Sequence, residues 1–558
     1  MMRRLFLLSF AAFVLSSVTA GTDKLHFYQN DGVVRYCNYG AVDSISFDQD
    51  YTLALFRLGG ELTASYHFSM LDSLTFGQSV SNAATFPSAP DFNEAFQSTV
   101  TPEYNNVPEP PIDADDNDYI ENYTVKNTIT FTYEGNSVTV VPGLVDGVTV
   151  TTDGAHVRVV STKAKMRYLL QGSTENGSFK VATENPDLDE KRFCITLNGL
   201  TMTNPNGAAI NIQTGKSVYL SLAKDKVNTL CDGDKYNTAP GEDEKGTIFS
   251  EGQLLISGSG TLNVKSLGGH GICSDDYIFL RANTGTINIT SKKDGLNTKD
   301  HFTMYGGTVN INSQRDGIAV REGPFQLYGG TLDMDCIDDG IVSDYTSPDT
   351  ASIFIAGGYT KITTTDEKGH AVYTTGPLTM TGGAVSATVT GNASKCFIAG
   401  DSILISGGYA MLKAAGTPLY DKKEKDYASA ACIRAKRDLT ISGGDLYLLC
   451  SGDGGKAINS VSNTLISGGN ITVITQGRDC TINDNTIRSR AVDTEDMTIS
   501  GNAVLKLSTA GTSIYTGNNL NINGGSTYSL TTDRNAESLN VKGARQQTGG
   551  LILFGYSE

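Results

Sequence analysis

The sequence predicts an all-β chain whose larger part is a parallel β-helix, a solenoid of short strands, preceded by a small β-module. Three observations carry this. Gly is abundant (61 of 558 residues), while Pro (14) and charged residues (18%) are sparse. That profile suits many short strands joined by Gly- and Asn-rich turns and argues against a disordered or long helical chain. A unit of the form apolar-x-apolar-x-Gly-Gly-x-apolar-x-apolar recurs from about residue 254 to the end. Alternation of period two on both sides of each Gly pair means two short strands meeting at a tight corner.

The elements follow in chain order. Arg3 and Arg4, the apolar run Leu5 to Val18 and the small residues Val18-Thr19-Ala20 read as a secretory signal peptide over residues 1–20, too short and wrongly flanked for a membrane span. The protein is therefore expected to be exported, to the periplasm, the cell surface or the medium. No later stretch reaches eighteen apolar residues, so no membrane insertion is expected, and a monomer is expected. Residues 21–76 hold one pattern twice, ending in Asp43-Ser-Ile-Ser-Phe47 and Asp72-Ser-Leu-Thr-Phe76. Each copy reads as two or three short strands with a Gly turn. Residues 77–122 contain six of the fourteen prolines and then Asp113, Asp115, Asp116 and Asp118, which reads as a linker or extended tether.

Residues 123–558 are the repeat region. The first Gly of each pair falls at 306, 329, 357, 382, 407, 443, 468 and 524, with Gly501 standing in for one further copy. A unit of this length made only of short strands cannot bury its apolar face alone, and stacking does so. A propeller would need units of about 40 residues. Each coil adds about 4.8 Å of axis, so the region suffices for roughly 14 to 17 coils. Residues 231–247 and 416–430 break the period and read as loops projecting from a coil. Nine cysteines, an odd count with no Cys-x-x-Cys, read as small buried hydrophobes, with bridges between neighbouring repeats as the alternative.

A second register carries the chemistry. Asp294-Gly295-Leu296, Asp316-Gly317-Ile318 and Asp339-Gly340-Ile341 recur one coil apart, and Asp275-Asp276, Asp300, Glu322 and Asp344 follow about six residues behind. Carboxylates stacked about 5 Å apart repel unless compensated. Calcium compensates well, because it takes six to eight oxygen ligands in flexible geometry. The alternative is that Asp-Gly only makes the turn, its carboxylates satisfied by water and main-chain amides. Tyr305 and Tyr328 fall where other coils carry Ser or Thr. They are expected to point outward and stack, as a sugar platform or as mutual cover for a sheet face. Arg281 and Arg315 lie close by and are candidate glycan contacts. For a lyase acting on uronates, Lys299 or Arg321 would be the base, with calcium acidifying the α-proton. The net charge of −17 excludes unassisted binding to DNA or RNA. An acidic partner would need a cation between it and the protein.

Two resemblances add to this reading. The paired segment resembles the small DSIxF module of exported Bacteroidales proteins. The ordered series Tyr168-Leu-Leu-Gln-Gly172, Ile195-Thr-Leu-Asn-Gly199-Leu-Thr-Met-Thr-Asn204, Asn228-Thr-Leu-Cys-Asp-Gly233 and Leu254-Leu-Ile-Ser-Gly-Ser-Gly260, running into the Asp-Gly coils, resembles the bacterial carbohydrate-binding β-helix family of cellulose- and polygalacturonate-binding type over 125–415. The resemblance implies a right-handed, pectate-lyase-like β-helix that binds calcium and acidic or β-linked polysaccharide. It carries over Asp275, Asp276, Asp294, Asp300, Asp316 and Asp339 as calcium ligands. The Asp-Gly slot departs from the pattern at Gly269-His270-Gly271 and at Lys368-Gly369, so the ladder is only about three coils tall. An exported, calcium-dependent polysaccharide-binding protein is the function expected. A uronate lyase and a structural or adhesive surface protein are the alternatives.

Overall fold

The computed structural model describes residues 101–556, apart from 114–115, 183–191, 216, 346–349, 424 and 534–535, together with the backbone of six strands between 24 and 77. The signal peptide lies outside the described residues. The chain divides into two compact units, residues 1–86 with 552–556, and residues 87–551 with the last two.

In the first unit each sequence copy supplies three strands. Ser44–Phe47, Thr52–Phe56 and Leu62–His67 form an antiparallel meander. Lys24–Gln29 pairs antiparallel with Val34–Asn38 and also with Leu71–Gly77. The last strand of the second copy thus closes against the first strand of the first.

The second unit is a parallel β-solenoid with three strands per coil, where the repeat pattern alone marked two. In one coil these are Phe302–Met304, Thr308–Ser313 and Ile318–Val320. The Gly pair makes the corner between the first two, and Asp316-Gly317 makes the turn before the third. The third strands build a sixteen-stranded sheet whose first member, Val148–Asp153, is antiparallel to its neighbour while the rest are parallel. Period-two alternation then sorts the side chains. Phe302 and Phe325 point inward and stack with ring centroids 5.2 Å apart, and Leu296, Ile318 and Ile341 line the core in register, fully buried. Each such side chain contributes about 1.5–3 kcal/mol on burial.

Both members of a corner pair are required, for different reasons. Gly330 has φ +86°, a left-handed conformation that residues with a Cβ resist. A Cβ on Gly329 would lie 2.5 Å from the Tyr305 carbonyl oxygen of the coil below. The cysteines from Cys194 to Cys480 are free thiols, and Cys194, Cys273, Cys336, Cys396, Cys432 and Cys450 are buried. Burial pushes the Cys336 thiol up to about 12.

The Pro-rich acidic segment departs from the sequence reading. Residues 104–113 and 116–123 are not a free tether but a strap laid across the outer face of the corner sheet. The cause is an outward row that is apolar in this part of the solenoid: Cys194, Tyr219, Leu255 and Phe279 stand in register and are covered by Tyr123. The Tyr219 hydroxyl donates to the Asn117 carbonyl at 2.5 Å. Farther along, Asn105 accepts the Gly383 amide at 2.7 Å, and Asn106 accepts the Gly330 amide at 3.1 Å. The Val107 amide donates to the Tyr328 carbonyl at 2.7 Å. The strap is thereby tied to coils from Tyr219 to Gly383.

Candidate functional site

The Asp-Gly turns stack as their spacing requires. The amides of Gly271, Gly295, Gly317, Gly340 and Ala371 donate to the carbonyls of Asp294, Asp316, Asp339, His370 and Lys395, each at 2.8–3.1 Å. His270, Asp294, Asp316, Asp339, His370 and Lys395 therefore form one row, one residue per coil. Six adjacent positions carry three acids and then turn basic.

The acids are not equivalent. Asp294 is fully buried and takes both donors of the Arg315 fork, Arg321 Nη2 at 3.1 Å and Asn297 Nδ2 at 2.7 Å. Burial alone would raise its carboxyl, but contacts to His270 and Arg315 outweigh this and hold it well below the usual range. Arg321 also reaches Asp316 at 2.9 Å and Asp344 at 3.1 Å. Asp316 is 5% exposed, and burial followed by the Asp294 charge pushes it up to about 6. Asp339 accepts the His370 amide at 2.5 Å. Burial, with the charges of Asp338, Asp316 and Asp344 adding to it against that hydrogen bond, pushes its carboxyl up to about 8.

Carboxylate oxygens of Asp316, Asp338 and Asp339 lie within 4.8 Å of one another. Burial first, and neighbouring carboxylate charge after it, raises all three carboxyls, and the charge part of this is the condition a divalent cation relieves. The donor set is all oxygen, which suits calcium. Asp294 suits it least, because Arg315, Arg321 and Asn297 together occupy both its oxygens, whereas Arg321 takes only Oδ2 of Asp316. Asp338 was absent from the sequence ladder, although the Asp338-Asp339 doublet was its available signal.

The companion row is largely paired within the protein. Asp275 receives Lys245 Nζ at 2.6 Å, and Asp276 receives Gln253. Asp276 also lies beside Asp300, and burial first and then the Asp300 charge raises its carboxyl. Glu322 and Lys299 stand 3.7 Å apart. Arg321, tied to three carboxylates, is held protonated and is no proton acceptor. Arg315 is spent on Asp294.

Tyr305 and Tyr328 stack on each other, centroids 4.5 Å apart and nearly parallel. Both are only half-exposed, with the strap running beside them. Arg281, one coil below in the same row, is 4% exposed. It sits between Glu109 and Glu121 of the strap, at 2.9 Å from the latter, with its guanidinium 4.3 Å from the Tyr119 ring centroid. In this arrangement Arg281 is a strap anchor.

One polar face was not read from the sequence. Asn263, Asn288, Asn310 and Asp333 stand in register on the strands after the corner. Asn288 donates to Asn263, and Asn310 to Asn288, each at 2.8 Å. They line an open groove of about 700 Å³. The signal was the recurring Thr-x-Asn in Thr261-Leu-Asn, Thr286-Ile-Asn and Thr308-Val-Asn.

A stacked parallel solenoid with polar outer ladders is a scaffold for long, repetitive ligands. Residues 147–475 match the family described as carbohydrate-binding domain-containing protein, and the chain belongs to that family. Among solved structures it is similar to a polysaccharide lyase-like protein from C. thermocellum, studied as a gadolinium derivative. Identity is 24%, with 46% of this chain and 97% of that chain covered and a TM-score of 0.40. No curated protein matches the chain. Among the described residues, no helix is long and apolar enough to cross a membrane.

Proposed function

We propose that this is an exported polysaccharide-binding β-helix in which calcium, held by Asp316, Asp338 and Asp339, links the protein to an acidic, pectin-like glycan. The single observation behind this reading is the carboxylate cluster, three acids with oxygens within 4.8 Å of one another on one corner of the solenoid. Family membership supports carbohydrate as the ligand class. The asparagine ladder adds a flat amide surface that meets the hydroxyl groups of a β-linked chain. Calcium would supply the positive charge that a protein of net charge −17 needs to hold a uronate.

The binding reading is preferred to the lyase. Arg321 and Arg315, the cations beside the cluster, are both engaged by carboxylates, and Lys299 faces Glu322. The test is migration in native gels containing polygalacturonate, with calcium and with chelator. Retardation that needs calcium and is lost in Asp339→Asn, without release of ultraviolet-absorbing unsaturated sugar, is the expected result. Unsaturated product would establish the lyase. Free migration through pectic and neutral β-glucan gels alike would leave the structural or adhesive reading.

A further inference from the structure

The last coils of the solenoid hold a concavity lined by neither the carboxylate cluster nor the asparagine ladder. A hairpin, Cys480–Ile482 with Asn485–Ile487, projects between Thr475 and Arg490. Its two ends, at Arg478-Asp479 and at Arg488, form one wall, and Asp533 and Glu537 stand in the other. The floor is the sixteen-stranded sheet, where Asp493, Tyr515 and Asn540 follow one another in register. Between the walls is an open volume of about 650 Å³. Small residues keep it open. Ala510, Gly511 and Ala536 all line it, and Gly511 cannot be enlarged, because a Cβ there would lie 2.1 Å from the Ser489 carbonyl oxygen.

The charges around this space are already matched. Arg488 Nη1 holds Asp479 at 2.5 Å, and Arg490 Nη1 holds Asp493 at 3.0 Å. Arg478 lies 3.8 Å from Asp533. The two charges left on the lining, Lys542 and Glu537, are of opposite sign. The Arg490 guanidinium also sits 3.5 Å from the Tyr515 ring centroid, which fixes the ring. What is left unmatched is neutral. Among the described residues the hydroxyls of Tyr515 and Thr512 make no hydrogen bond. Asn540 spends one amide hydrogen on Glu537, which leaves its second N–H and its carbonyl oxygen.

We propose that this pocket is a second glycan site, which takes a neutral sugar segment of about two or three rings through its hydroxyl groups, without calcium. An ionic ligand group would have to pull apart an ion pair that is already made and leave one partner uncompensated. A sugar hydroxyl donates and accepts at once, so it meets an amide, a phenol and the outer lone pairs of a paired carboxylate without displacing any of them. Tyr515, already held by Arg490, loses little freedom on binding. Six register steps separate Ile341 from Ile514, so the pocket lies about 29 Å beyond the Asp339 coil along the same sheet. A polysaccharide lying along the axis spans both, and its second contact forms at the effective concentration set by the first. The inference rests on the polysaccharide reading but not on the calcium cluster.

The test uses the whole protein in chelator, so that cation-bridged binding is silent. Cellotetraose, xylotetraose, mannotetraose and tetragalacturonate are the probes, and titration calorimetry is the readout. Tyr515→Phe removes one hydroxyl and keeps the ring beneath Arg490, and Asn540→Ala removes the amide. Thermal unfolding confirms that both variants and the double variant are folded. The wild type should bind at least one neutral tetrasaccharide, and the double variant should bind it about tenfold more weakly, as the loss of two hydrogen bonds requires. Equal affinity of wild type and double variant for the neutral probe overturns the pocket site and leaves the polysaccharide reading standing. Binding of tetragalacturonate alone, weakened in the double variant, overturns the neutral assignment. No binding of any tetrasaccharide in chelator, with retardation by polygalacturonate gels once calcium is restored, overturns the pocket site and leaves the calcium reading intact. A wild type that responds to no glycan, with or without calcium, removes the polysaccharide reading and this site together.

Discussion

Replacing Asp339 by Asn separates charge from shape at the carboxylate cluster. Asn keeps an oxygen for the His370 amide and fills the same space, but it cannot ionise. In the wild type the Asp339 carboxyl titrates near 8 in the folded chain and near 3.9 in the unfolded chain. Between these values the folded state holds a proton that the unfolded state has released. Stability therefore falls as pH rises through this window, and the loss is complete above about pH 8. A difference of about four units corresponds to roughly 6 kcal/mol as an upper figure, since each unit is worth about 1.4 kcal/mol. The assay is the apparent thermal midpoint in chelator at about pH 5, 7 and 9, repeated with millimolar calcium. Asp339→Asn should exceed the wild type slightly at pH 5 and most at pH 9. Calcium should raise the wild-type midpoint most at pH 9 and the variant midpoint little. Parallel pH profiles for the two proteins, or an equal response to calcium, would refute both the uncompensated charge and the cation assigned to it.

Three further outcomes follow from the same structure. Lys395→Met should stabilise the protein near pH 7, by up to roughly 5 kcal/mol. Here the folded pKa is lowered, so wild-type stability should climb between about pH 7 and 10 while the variant stays flat, as chemical denaturation will read. The groups facing Lys395 are Arg434, Lys368, Lys436 and Asp421. Arg281→Met should cost about 3 kcal/mol, because it leaves Glu109 and Glu121 without their shared cation. Limited proteolysis should then cut within 104–123 sooner than in the wild type. Gly330→Ala should cost about 1–2 kcal/mol through its left-handed backbone alone, and a lowered thermal midpoint is the readout.

What the sequence disclosed was what repeats. Gly329-Gly330 and Asp316-Gly317 are local solutions to a corner and a turn, so their spacing reports coil length directly. The Asp-Gly row followed from that spacing alone. Partnerships across coils were not legible, since they depend on which long side chains bend into the row. Arg315 and Arg321 look like neighbours of every acid in the ladder, yet in space both converge on Asp294 and fill its oxygens, while Arg321 spends single further contacts on Asp316 and Asp344. Asp338 was overlooked because it precedes the repeating slot. The strap was misread for a compositional reason. Pro and Asp in 102–118 resemble a solvated linker, and the anchoring role of Tyr119 and Tyr123 becomes visible only once an apolar outward row is known to exist. Lys395 stands in the Asp-Gly register, but in the sequence nothing distinguishes it from a surface lysine.

The strap has a thermodynamic consequence. A segment joined to the same chain faces its docking surface at an effective concentration in the millimolar range, however dilute the protein is. Any ligand approaching the Tyr305–Tyr328 stack from the strap side competes with an occupant that cannot diffuse away. Its apparent affinity is its intrinsic affinity scaled by the fraction of molecules in which that stretch is open. Asn106, Val107 and Glu109 therefore set a threshold for that face, and cutting the chain once near them would lower it without altering a single contact in the solenoid.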